Sequence, residues 1–175
     1  MKKLLTLSFL LALLTAPALG QGTIVTFESA KVKAGHALPG SNAIVEVSFK
    51  VQPGYYLHAN RPTVARAVAT QMQLGTIPAA RSLPAAYSAP GQKTIPNNPM
   101  PASVYEGAFT ATVPVIIASN AQFPITLAGI VGYAPVNEKN HVAGRVEQVR
   151  FNVTIPRGQD VPPAKAKAPA DPKKK

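Results

Sequence analysis

The chain has 175 residues, eighteen basic against seven acidic, a formal net charge of +11 and neither cysteine nor tryptophan. Without cysteine it can run no thiol–disulfide exchange of its own, build no thiolate metal centre and offer no cysteine nucleophile. The length suits one domain around one core.

Residues 1–20 read MKKLLTLSFLLALLTAPALG. Lys2 and Lys3 precede a short apolar run, Leu4 to Leu14, and small residues follow in Ala18-Leu19-Gly20. This is the pattern of a secretory signal, too short for a good membrane span. The expectation is a mature chain that begins at or near Gln21 and is soluble in the periplasm or an equivalent exported space. No cysteine follows the apolar run, so no lipid anchor is expected.

Beyond that leader, strand signals dominate. TIVTF (23–27) is a weak candidate, whereas NAIVEVSFKV (42–51) alternates cleanly, with Val45, Val47, Phe49 and Val51 on one face. YYLHA (55–59) and TQMQL (70–74) are short candidates. RPTVARAVATQM (61–72) has the best helical spacing in the chain, but its bulk is alanine and threonine, and it is left open. AFTATVPVII (108–117), ITLAGIVGY (125–133) and QVRFNVTI (148–155) restore period-two alternation. Such alternation, rich in β-branched residues, marks half-buried antiparallel strands. Pro114, on the outward face of its strand, suggests an edge or a bulge. About seven short strands with proline and glycine punctuation predict an all-β sandwich of two sheets over residues 21–156.

Residues 76–102 break the pattern with six prolines: Pro78, Pro84, Pro90, Pro96, Pro99 and Pro101. So long a connection is unusual inside a compact domain. Its position between strands favours a cap over the sandwich rather than a linker. Residues 157–175, ending in PPAKAKAPADPKKK, hold six basic and two acidic residues and nothing to bury, and are expected to be disordered. Such a tail suits a solubilising role or, at most, weak contact with an anionic membrane surface. Export argues against nucleic acid as a partner.

The block VQPGYYLHANRP (51–62), then TQMQL, then VYEG (104–107), then a strand ending in GY before a short polar hairpin, resembles the N-terminal periplasmic domain of the thiol:disulfide interchange protein DsbD. The likeness covers about residues 24–156. It implies an immunoglobulin-like sandwich with a redox-active cysteine pair near a hairpin tip, under a protective cap loop. Laid on this chain, the two cysteine positions fall on Val136 and His141, and the cap on roughly residues 88–104. Both sulfurs are absent, so the resemblance implies a stand-alone relative that keeps the fold and has lost the activity. Carrying reducing equivalents needs two sulfurs.

The remaining candidates are contact residues: Val136, His141, Tyr133 and Asn137 around the hairpin, Tyr56 and His58 on the YYLHA strand, and Tyr105 where the cap rejoins the sandwich. Glu106 is expected to pair with Arg61 or Arg66 and pin the loop. Copper or zinc held by His141 with His58, His36, Met72 or Met100 is the rival to an unliganded loop, and no His-x-His or methionine-rich cluster favours it. No cofactor is expected. The body has no aspartate before Asp160, and its five glutamates suggest no acid–base pair. The expected function is therefore an exported, non-catalytic domain that presents residues 134–143 and 76–104 to a protein partner. The alternative is an auxiliary factor in periplasmic thiol–disulfide exchange or cytochrome and copper maturation, acting by docking to a thioredoxin-like protein.

Overall fold

A computed structural model describes residues 23–35, 37–96 and 98–158. The leader, the Gln21 start, His36 and the tail from residue 159 onward lie outside the described residues. The architecture is an all-β, immunoglobulin-like antiparallel sandwich, and no described residue is helical.

Twelve strands follow in chain order: β1 (Val25–Gly35), β2 (Asn42–Val51), β3 (Tyr55–His58), β4 (Gln71–Leu74), β5 (Ala80–Ser82), β6 (Ala86–Tyr87), β7 (Gly91–Lys93), β8 (Ala102–Tyr105), β9 (Ala108–Ile117), β10 (Ile125–Tyr133), β11 (Pro135–Asn137) and β12 (Glu147–Ile155). One sheet runs β1-β2-β9-β5, with β6 also on β9. The facing sheet runs β12-β10-β4. A third, small sheet runs β11-β3-β8-β7. The alternating sequences of β2, β9, β10 and β12 explain why they form the body. Val45, Val47 and Phe49 from one sheet meet Leu127, Val131 and Val153 from the other in one buried core. Each large apolar side chain so buried contributes roughly 1.5–3 kcal/mol.

Rings thread this core. Phe151 stacks on Phe27 at 4.9 Å and meets Phe49 edge-on at 5.3 Å. Phe49 stacks on Phe109 at 5.2 Å, and Phe109 on Tyr105 at 4.8 Å. Such pairs add about 0.5–1.5 kcal/mol each beyond area burial. Gly129 leaves room for this arrangement. It sits opposite Phe151 in the β10–β12 ladder, and a Cβ there would lie 2.3 Å from the ring.

The structure revises the sequence reading at the first strand and at the proline-rich connection, and settles residues 61–72 and the setting of Pro114. The first strand runs on to Gly35 rather than ending at residue 27. The stretch 61–72 is turn and irregular backbone up to the start of β4. The proline-rich connection is not one irregular cap: β5 and β6 complete the edge of the β9 sheet, and only β7 onward lies against the small sheet. Pro114 lies inside the sheet, in register with Ile44 of β2. Its carbonyl accepts from Leu83 N–H at 2.9 Å. The reciprocal bond to Leu83 O has no donor at a proline, and the ladder breaks here: the pairing on β9 shifts by one residue between β5 and β6, the irregularity expected at this position.

Candidate functional site

The small sheet has two faces. Leu57 and Tyr105 turn toward the main core. Tyr56, Ala102, Val104 and Val136 form a second buried cluster on the other side, flanked by Val64 and Ile95. The alternation of YYLH therefore splits as strand geometry requires, with both faces buried. A Pro53-Gly54 turn leads into β3. Gly54 takes φ +85°, a conformation that favours glycine, and its carbonyl accepts from Glu138 N–H at 2.9 Å.

Val136 and His141 come together on Tyr56. Val136 is the register partner of Tyr56 between β11 and β3 and shares its cluster. The Tyr56 hydroxyl lies 3.3 Å from His141 Nδ1, and the two rings are 6.1 Å apart. The tip is held mainly by its own backbone. His141 N–H donates to Asn137 O at 2.9 Å, Asn137 N–H to Val142 O at 3.1 Å, and Gly144 N–H to Pro135 O at 2.7 Å. Asn137 Oδ1 accepts from Lys139 N–H and Asn140 Oδ1 from Val142 N–H, so two asparagine side chains replace backbone partners in the turn. His141 itself takes φ +55°, and bonds on both sides hold it in that left-handed conformation.

A lysine absent from the sequence reading ties the cap to this tip. Lys93, on β7, places its Nζ 2.5 Å from Glu106 Oε1, 2.6 Å from Glu138 Oε1 and 5.3 Å from the centre of the Tyr56 ring. Glu106 thus pairs with Lys93, and the expected pairing with Arg61 or Arg66 is corrected. The lysine joins β7, the turn after β8 and the hairpin tip through one ammonium. Hydrogen bonds from Lys93 hold the Glu138 carboxyl below its ordinary range, and the same pairs raise the Lys93 ammonium. Burial pushes the Tyr56 phenol up.

The other candidates lie elsewhere. Tyr133 is fully buried in the main core. It accepts from Val25 N–H at 3.4 Å and donates to Glu147 Oε2 at 2.9 Å, and burial followed by that carboxylate raises its phenol. Tyr105 stacks on Phe109 and donates to Asn60 Oδ1 at 2.8 Å, which makes Asn60-Arg61-Pro62 a structural turn. His58 stands edge-on to Tyr56 at 5.8 Å. It is buried, its Nδ1 has no hydrogen-bond partner, and desolvation lowers its pKa. Among the described residues no three histidine, aspartate or glutamate side chains converge as a metal site.

The residues that face outward are different ones. Val142 and Val146 are each 61% exposed on the tip loop, beside Lys139 and Arg145, and Met100 is 60% exposed on the loop that follows β7. Two valines after a histidine, in a short polar stretch between strands, were the signal in the sequence, and the alternation rule passes over them because they stand in a loop.

No family model matches the chain, and no curated protein does. Among solved structures, the chain is similar to the reduced form of the Neisseria meningitidis DsbD N-terminal domain. The identity is 15%, the TM-score 0.42, and the match covers 76% of this chain and 90% of that one. It is also similar to the N-terminal periplasmic domain of ScsB from Proteus mirabilis. There the identity is 10%, the TM-score 0.46, and the match covers 74% of this chain and 51% of that one, so the chain spans about half of its length. The first is the domain type that the sequence motifs resemble. Among the described residues no helix is long and apolar enough to cross a membrane.

Proposed function

We propose that this chain is an exported, non-catalytic interaction domain whose hairpin tip and adjoining cap form a docking surface for an envelope protein. One observation carries the reading: a turn stiffened by its own backbone, two asparagine side chains and the Tyr56 contact presents Val142 outward, and Val146 is equally exposed on the same loop, in a stretch that also holds Lys139 and Arg145. A surface ordered before binding loses little conformational entropy on docking, and exposed apolar side chains supply the gain. The absent cysteines support a role in contact rather than in electron transfer.

Val136 and Tyr105 are buried and act beneath such a surface as its supports, so exposed positions make the better test. Affinity capture from envelope extract compares the unaltered protein with a Val142→Asp, Val146→Asp double variant. The reading expects one captured protein to be lost with the double variant while the fold, followed by circular dichroism, is unchanged. Retention of every captured protein by the folded variant contradicts it.

A further inference from the structure

The face of the small sheet that carries Tyr56 also carries His58. The two rings stand two residues apart on β3, edge-on at 5.8 Å, and His58 is the register partner of Val104, a member of the same buried cluster. His58 is 7% exposed, and its Nδ1 is buried without a hydrogen-bond partner. A neutral imidazole bears that orphan at modest cost. An imidazolium carries a proton on both nitrogens, so it would add a desolvated charge and an N–H that nothing accepts.

No counter-charge is at hand. The titratable and charged groups of the elements around this face are the Tyr56 phenol on β3, Lys93 on β7, Glu106 after β8, Glu138 and His141 on the hairpin tip, and Arg61 and Arg66 in the stretch that carries Val64. Both carboxylates are bonded to Lys93. Among the described residues no carboxylate pairs with His58.

The cover over this face is light. Val64, between β3 and β4, and Ile95, between β7 and β8, pack on the cluster, and both are only half-buried. Both stand outside any strand. One hydroxyl joins the two stretches: Thr63 Oγ1 donates to Pro101 O at 2.9 Å and accepts from Ser103 N–H at 3.0 Å. The other side of β3, by contrast, is closed by Leu57 in the main core. Segments with few buried apolar contacts open locally at far less cost than a core does. Displacing this cover brings water to His58 and leaves the sandwich folded.

We infer that His58 is an acid-sensitive latch: when its ring takes up a proton, the loops that carry Val64 and Ile95 lift from the small sheet while the sandwich beneath stays closed. The release needs no docking partner, so it stands or falls separately from the proposed function.

Amide hydrogen exchange read by NMR tests it, each rate being divided by its intrinsic value at the same pH. The comparison runs from about pH 7.5 to about pH 5.5, one unit either side of the ordinary imidazole value of about 6.5. Ser103 N–H donates into the cover, and Ala67 and Asn98 N–H donate within it, to Val64 O and Ile95 O. The open form binds the proton with ordinary imidazole affinity, so protection at these three amides should fall by up to about tenfold at the lower pH. Amides of β2 and β9 should keep theirs. His58→Gln and His58→Leu should each abolish the loss, so that a variant which disturbs the pocket leaves the other to decide. His141→Gln should retain it. Protection that survives at the lower pH would overturn the inference. So would the same loss in a folded His58 variant, a loss abolished by His141→Gln, or an equal loss in β2 and β9.

Discussion

The Tyr56 hydroxyl stands 3.3 Å from His141 Nδ1, across 85 residues of chain. Strand β3 thereby supports the ring of a residue whose own backbone is left-handed. Tyr56→Phe keeps the buried ring and removes only this contact. It is expected to lower stability by about 0.5–1.5 kcal/mol, read by urea denaturation. Amide exchange at His141 and Val142 should quicken more than at β10. Uniform change across the sheet would mean that the hydroxyl matters to the core and not to the tip.

Lys93 is expected to act as the pin between cap and tip. Lys93→Met retains the aliphatic stem over Tyr56 and removes the bonds to Glu106 and Glu138. Hydrogen exchange should then rise over residues 91–96 and 138–141, with little change in β2 or β9. Because the pairs are largely solvated, added salt should move the unaltered protein part of the way toward the variant. The Glu138 carboxyl is held below its ordinary range, so its contribution is complete at neutral pH and is lost as pH falls through the carboxylate range.

His58, beside Tyr56 on the same strand, gives the small sheet a second pH dependence. Burial lowers its pKa in the folded chain, so the unfolded chain binds more protons near and below the unperturbed value of about 6.5. Stability is therefore full above that value and declines as pH falls below it, levelling off once the folded-state value has been passed. A His58→Gln variant should flatten the dependence in that window. If the unaltered protein and the variant lose stability in parallel, the source is another group.

Gly129→Ala places a methyl group within the Phe151 ring. Overpacking of this kind costs about 1–3 kcal/mol. Phe151→Leu alone should also destabilise, through the lost stacking on Phe27, yet the double variant should be less destabilised than the two single changes added together. Additivity in a thermal-denaturation cycle would show that the ring does not depend on the glycine.

The body of this fold was legible because β2, β9, β10 and β12 alternate without a break, and their observed bounds fall within a residue of the alternating runs. β1 was legible only at its start. Register shifts between Phe27 and Ser29 and between Val32 and Ala34 throw the inward positions out of phase, so no single alternation spans it. β5, β6 and β7 are two or three residues each, too short to show a period, and exist because β9 and β8 offer edges to pair with. Val136 and His141 were legible as neighbours through the motif resemblance, whereas Tyr56 stood only as a candidate on another strand, and its contact with both comes from the β11–β3 pairing. Lys93 was not, because its partners lie 13 and 45 residues away and nothing local marks it. Glutamate–arginine complementarity suggested the wrong cation for Glu106.

The docking account is tested most directly by photo-crosslinking from two positions in envelope extract: one at Val142 on the tip and one at Ala128 on the outer face of β10. It predicts a discrete protein adduct from position 142 that is absent from position 128 and competed away by unlabelled protein. No adduct from position 142, or the same adduct from both positions, would contradict it.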